Sequence, residues 1–178
     1  MKDQNNNWTA RAKRLVWDKA PFIDVRHPEC GKQDPCKACI KEEEYGNQNS
    51  NYGWQIDHIY PEQKLQDAGV PQELIDHIDN LRPMHSKNNN KKSDDFPIYS
   101  AEITAIGTNN LDVARDYRVN IDQINILRNL FSDYNVDIPY PTVLGRWQAM
   151  IDRHLVPTDR IPAIFYDEIH TQSIHDLD

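Results

Sequence analysis

The run Tyr52-Gly-Trp-Gln-Ile-Asp-His-Ile-Tyr60 is dense in aromatic and β-branched residues and is stopped by Pro61. Such residues fit a pleated, half-buried surface, and a proline cannot donate to the next rung of a ladder. The pattern predicts a strand over 52–60 that carries Asp57 and His58 near its end. Pro71 opens a short helix expected over 71–79, because its missing N–H is not needed in a first turn. Residues 80–84 form a second, short extended run, which Pro83 confines to an edge or irregular strand. Residues 85–92 are polar, free of proline and compatible with a helix.

Around this segment the chain reads as α+β. Trp8, Ala12, Leu15 and Val16 recur at helical spacing, with Arg11, Lys13 and Arg14 on the other face, so an amphipathic helix is expected over 8–19. All ten Lys lie before residue 95, and the six basic residues after it are all Arg. That shift coincides with Asp94-Asp95-Phe96-Pro97 and marks a boundary. It divides the chain into 1–94, an N-terminal helix plus a core, and 95–178, expected to be mainly helical. In the second part a weak strand pattern over 98–106 runs into the turn Gly107-Thr-Asn-Asn110. Asn120, with Gln123 three residues on, caps a helix whose apolar face is Ile121, Ile124, Leu127, Phe131 and Tyr134. A further helix carries Leu144, Trp147, Met150, Ile151 and Leu155 and ends before Pro157. Both stripes are expected to face a core.

A mean hydropathy of -0.81 and no apolar run near the roughly 20 residues of a bilayer span argue against a membrane protein. The polar, Asn-rich start lacks the apolar stretch of a secretory signal, so a cytoplasmic location is expected. Cys30, Cys36 and Cys39 are too few for a disulfide framework and fit a reducing compartment or a metal site. The net charge of -8 argues at first sight against a nucleic-acid partner, but it is unevenly spread. Residues 1–20 carry +3, 21–94 carry -4 and 95–178 carry -7, while 81–92 holds Arg82, Lys87, Lys91 and Lys92 with no acid.

That basic segment follows Asp57-His58 and Asn80 and contains Asn88-Asn89-Asn90. Cutting a phosphodiester requires a divalent cation to neutralise the phosphate and leaving oxygen, and a base to deprotonate water. Asp is a hard oxygen ligand suited to Mg²⁺, an Asn carbonyl can be a second, and a neutral His suits general-base work. Adjacent strand residues point to opposite faces, so Asp57 and His58 converge only if the strand ends or bends, as Pro61 allows.

Tyr52-Gly-Trp-Gln-Ile-Asp-His-Ile-Tyr-Pro61, Asp79-Asn-Leu-Arg-Pro-Met84 and Asn88-Asn-Asn-Lys-Lys-Ser-Asp94 together resemble the HNH nucleases of the ββα-metal type. The resemblance implies a two-stranded ribbon crossed by a helix and gripping one metal ion. It implies that His58 is the general base, that Asp57 is a metal ligand and that Asn80 fixes the catalytic loop. Asn89, nine residues after Asn80, falls at the final metal ligand, with Asn88 and Asn90 as neighbouring alternatives. Lys87, Lys91 and Lys92 are expected to meet phosphates, with Arg82 a weaker candidate.

The tripeptide Asp-His-Ile occurs again at 76–78. No strand precedes it and two residues separate His77 from Asn80, too few for the family's connection. His77 is therefore expected to be a surface or packing residue. Relatives with paired Cys-x-x-Cys motifs bind structural zinc, and Cys36-Lys-Ala-Cys39 supplies one pair. The partner pair would fall at His85 and Asn88, and Asn is a poor zinc ligand. Zinc on Cys30, Cys36, Cys39 and His85 is thus the less favoured reading, and buried thiols the favoured one.

These observations predict a metal-dependent endonuclease hydrolysing double-stranded DNA with Mg²⁺ or Mn²⁺. The alternatives are a nuclease subunit or toxin controlled by a protein partner through 95–178, and a non-cleaving nucleic-acid-binding module.

Overall fold

Thr9 sets the start of the first helix, α1 (Ala10–Trp17), by accepting the Ala12 N–H on its hydroxyl at 3.1 Å. The computed structural model describes residues 1–139. The helix buries Ala12, Val16 and Trp17, while Leu15 stays 43% exposed, because the buried stripe turns toward Trp17. Two short strands follow, β1 (Lys32–Gln33) and β2 (Cys39–Ile40), paired antiparallel about a tight turn. Asp34 holds that turn by accepting the Cys36 and Ala38 N–H groups, each at 2.8 Å.

The strand expected over 52–60 is β3 (Trp54–His58), and the run after Asn80 is β4 (Leu81–His85). They pair antiparallel with Trp54 opposite His85 and Asp57 opposite Arg82. The sheet has two strands, so Pro83 sits on an edge, opposite Ile56, where its missing N–H costs nothing. Gly53 enters β3 so close to the Asn47 carbonyl that a Cβ would lie 1.8 Å from its oxygen, which excludes any side chain. The strands are joined by α2 (Glu62–Asp67), α3 (Gln72–Ile75), with Pro71 as its N-cap residue, and a 3-10 turn, Ile78–Asn80. From β4 the chain passes directly into α4 (Ser86–Lys92).

Trp54 is the centre of the core beneath this hairpin. It packs against Trp17 at 5.0 Å between ring centroids and edge-on to Tyr45 at 4.9 Å. Val16, Ala20, Ile40, Ile56 and Leu81 complete the cluster. Each aromatic pair contributes about 0.5–1.5 kcal/mol beyond its buried area.

Beyond residue 94 the strand pattern over 98–106 is a strand, and a second strand that the sequence reading does not include pairs with it. β5 (Ile98–Ile106) and β6 (Asn109–Arg118) form a long antiparallel hairpin, and α5 (Ile121–Leu130) follows, capped as predicted by Asn120 on the Gln123 N–H at 2.8 Å. The start of the expected mainly helical region is therefore half sheet. Nor does residue 94 divide the fold, since Met1–Asp137 form one compact unit. The buried Asn88 bridges the expected boundary, donating to the Ile103 carbonyl at 2.9 Å and accepting the Glu102 and Ile103 N–H groups. The helix expected over 144–155 lies outside the described residues. Among the described residues no helix is long and apolar enough to cross a membrane. The structure is of mixed helix and small antiparallel sheets, compatible with α+β.

Candidate active site

Asp57 lies at 4% exposure between two buried cations. Arg82 stands directly across the ladder and donates Nε–H to Asp57 Oδ2 at 2.7 Å, while its Nη1 donates to the Tyr99 hydroxyl at 3.2 Å. Lys92, 1% exposed on the last turn of α4, approaches Asp57 Oδ1 at 3.1 Å and donates to the His58 carbonyl at 3.0 Å. Burial pulls the Arg82 guanidinium down, but Asp57 and Tyr99 outweigh it and raise its value. Burial lowers the Lys92 ammonium, with Asp57 offsetting part of the fall. The trio pins the end of β3 to β4 and α4.

One residue further, at the end of β3, His58 turns to other partners. Its Nε2 lies 2.9 Å from Asp76 Oδ1 and its Nδ1 3.6 Å from Glu62 Oε2. Lys2 Nζ approaches the same Asp76 oxygen at 3.3 Å and Glu62 at 3.6 Å, and lies over the Trp8 ring. The Trp8 ring itself sits 5.8 Å from that of His58. Burial opposes ionisation of Asp76, but hydrogen bonds from His58 and Gln72 and the Lys2 charge outweigh it and hold the carboxyl below its ordinary value. His58, Glu62 and Asp76 bring ligand atoms within 4.8 Å of one another, a group able to hold a metal ion.

Asn80 organises the loop after His58. Its Oδ1 accepts the Tyr60 N–H at 2.8 Å, and its Nδ2 donates to the carbonyls of Tyr60 and Ile75 at 3.3 and 3.0 Å. Its own carbonyl accepts the Ile59 N–H at 2.8 Å. All its side-chain atoms are buried and bonded, so its role is to position backbone.

Asp57, His58, Glu62, Asn89, Asn90 and Lys92 line one open cleft of about 330 Å³. Asn89 donates Nδ2–H to Gln55 Oε1 at 3.0 Å, its backbone carbonyl accepts the Ser93 N–H at 3.1 Å, and its side-chain Oδ1 has no donor among the described residues. Asn88, the neighbouring alternative, is buried in the bonds to β5 and donates to Asp34 at 3.0 Å, so it does not reach the cleft.

Two members of the expected phosphate track are corrected. Arg82 and Lys92 are buried and committed to Asp57, and a cation so enclosed does not present itself to a phosphate. Lys91 is exposed, and Lys87 is exposed with Asp112 at 3.5 Å. Among the described residues Cys30, Cys36, Cys39 and His85 do not gather as a ligand cluster. Burial pushes the Cys36 thiol up to about 12, His85 Nε2 lies 3.1 Å from the Asn51 carbonyl, and His85 Nδ1 accepts the Lys87 N–H at 3.2 Å.

Glu62, Asp76, Gln55 and Lys2 lie outside the residues that the sequence pattern singles out. For Asp76 a signal exists, the repeated tripeptide, but the spacing argument speaks to its histidine and not to its aspartate. For Lys2 there is none beyond the basic start of the chain. No family model, no curated protein and no solved structure matches this chain.

Proposed function

We propose that the chain is a metal-dependent endonuclease of the HNH type, hydrolysing phosphodiester bonds in DNA. The observation that carries this reading is the convergence of Asp57, His58 and Asn89 on one cleft, from a strand end and a helix, with Asn80 stapling the loop between them. The donor chemistry fits Mg²⁺ or Mn²⁺. The Asn89 side-chain Oδ1 has no donor among the described residues, and each Asp57 oxygen accepts one charged bond and keeps lone pairs. Asp57 and Asn89 would hold the ion, which when bound neutralises charge on the scissile phosphate and the leaving oxygen.

The chain's own groups do the rest. His58 accepts a proton from the attacking water in the cleft that it lines with Glu62. Asn80 keeps that histidine in register by fixing the two residues that follow it. Arg82 and Lys92 hold Asp57 in place and neutralise it while no ion is present. Lys91 and Lys87, on the exposed side of α4, meet the flanking phosphates. The test is cleavage of supercoiled and linear DNA by purified protein with Mg²⁺, with Mn²⁺ and with chelator. Conversion to nicked or linear product that the chelator abolishes is expected. Intact substrate under all three conditions overturns the reading.

A further inference from the structure

We propose that Asp76 is the positioning residue for His58, fixing the imidazole so that Nε2 carries the proton and Nδ1 is the nitrogen that accepts one from water. This rests on the nuclease reading for its catalytic meaning, but the ring geometry stands by itself. An ionised carboxylate only accepts, so the 2.9 Å contact between Asp76 Oδ1 and His58 Nε2 requires the hydrogen on Nε2. Nδ1 then keeps its lone pair, on the side of Glu62, and both residues line the cleft. The proton leaves water for Nδ1, and the resulting imidazolium is stabilised through Nε2–H by Asp76.

Asp76 is itself held. Its side chain is 4% exposed, Lys2 Nζ lies 3.3 Å from the same oxygen, and its backbone N–H closes α3 on the Gln72 carbonyl at 2.9 Å. Asn80 couples the pair through the backbone. One side chain grips Tyr60, two residues after His58, and Ile75, the residue before Asp76. The same side chain therefore sets the distance between base and carboxylate. Direct metal ligation through Asp76 Oδ1 would compete with the His58 Nε2 contact that this oxygen already makes.

The experiment has two arms. In the first, the ¹⁵N shifts of the His58 ring are recorded on the full-length wild-type chain in alkaline, metal-free buffer. A single neutral tautomer with Nε2 protonated is expected. An Nδ1–H tautomer, or a mixture of the two, overturns the proposal without reference to activity. In the second, Asp76→Asn is compared with wild type and with Glu73→Gln, which removes an exposed charge from the same helix. Asp76→Asn is expected to lower kcat about 100-fold or more with KM changed less than about threefold, at unchanged half-saturating Mg²⁺. Glu73→Gln is expected to match wild type. Recovery of kcat at raised Mg²⁺ would make Asp76 a metal ligand and overturn the positioning role. Absence of cleavage by the wild-type chain defeats the nuclease reading alone, and the ring measurement then decides the Asp76–His58 pair.

Discussion

The chain contains the tripeptide Asp-His-Ile twice, and the two copies divide one site between them. In the first, His58 enters the cleft and Asp57 is enclosed by Arg82 and Lys92. In the second, Asp76 reaches His58, and His77 accepts the Asp79 N–H at 3.3 Å at the start of a 3-10 turn, its side chain 42% exposed. Backbone conformation makes the difference. At a strand end adjacent side chains diverge, so Asp57 and His58 meet different partners. At a helix end the chain has already turned, and only Asp76 points back toward the hairpin. Identical residues thus supply the histidine of one contact from one copy and its carboxylate from the other.

The largest contrast should come from the histidines. His58→Ala is expected to lower the cleavage rate by about 10²–10⁴-fold, the span of a positioned general base. His77→Ala should leave it within about twofold, because its side chain caps a short turn. Initial rates on supercoiled DNA check both. Equal losses in the two variants would erase the distinction between the copies.

The aspartates contrast in stability. Asp57→Ala leaves the Arg82 and Lys92 charges buried without their counter-ion, at a cost of about 3–5 kcal/mol. Asp76→Ala is expected to cost about 1–3 kcal/mol, since Lys2 keeps Glu62 as a partner. Urea unfolding followed by circular dichroism measures the gap. A reversed order would mean that Arg82 and Lys92 find other acceptors.

Part of this architecture is legible in the sequence. Pro61 and Pro83 announce where a strand stops and which strand is an edge, and the proline-free 85–92 announces a helix. Asn120 announces its cap. β6 is hard to read because its alternation is short and broken, Leu111 and Val113 being followed by Arg115 before Tyr117, and because all of Asn109–Arg118 is exposed or half-buried. Arg82 and Lys92 mislead for a physical reason. A run of cations without acids looks like a phosphate track, and their acid, Asp57, lies 25 residues before Arg82 in sequence and directly across a ladder in space. Asp76 is hidden by its own copy, since spacing rules out the histidine and the aspartate goes with it.

The smallest expected effect is also the most specific to the second copy. Hydrogen bonds from His58 and Gln72 and the Lys2 charge outweigh burial and hold Asp76 below its ordinary value of 3.8. A carboxyl depressed in the folded state binds fewer protons there than in the unfolded chain, so stability rises with pH across that interval. Its contribution is complete above the ordinary value and is lost as pH falls through the folded one. Asp34, which burial pushes up to about 6, has the opposite sign and weakens the fold as pH rises through that value. The two are separated by comparing wild type with Asp76→Asn. The difference in urea midpoint between the two proteins should narrow as pH falls below the ordinary carboxylate value. A difference that widens below that value would mean that the Asp76 carboxyl is raised, and that His58 and Lys2 do not hold it as an anion.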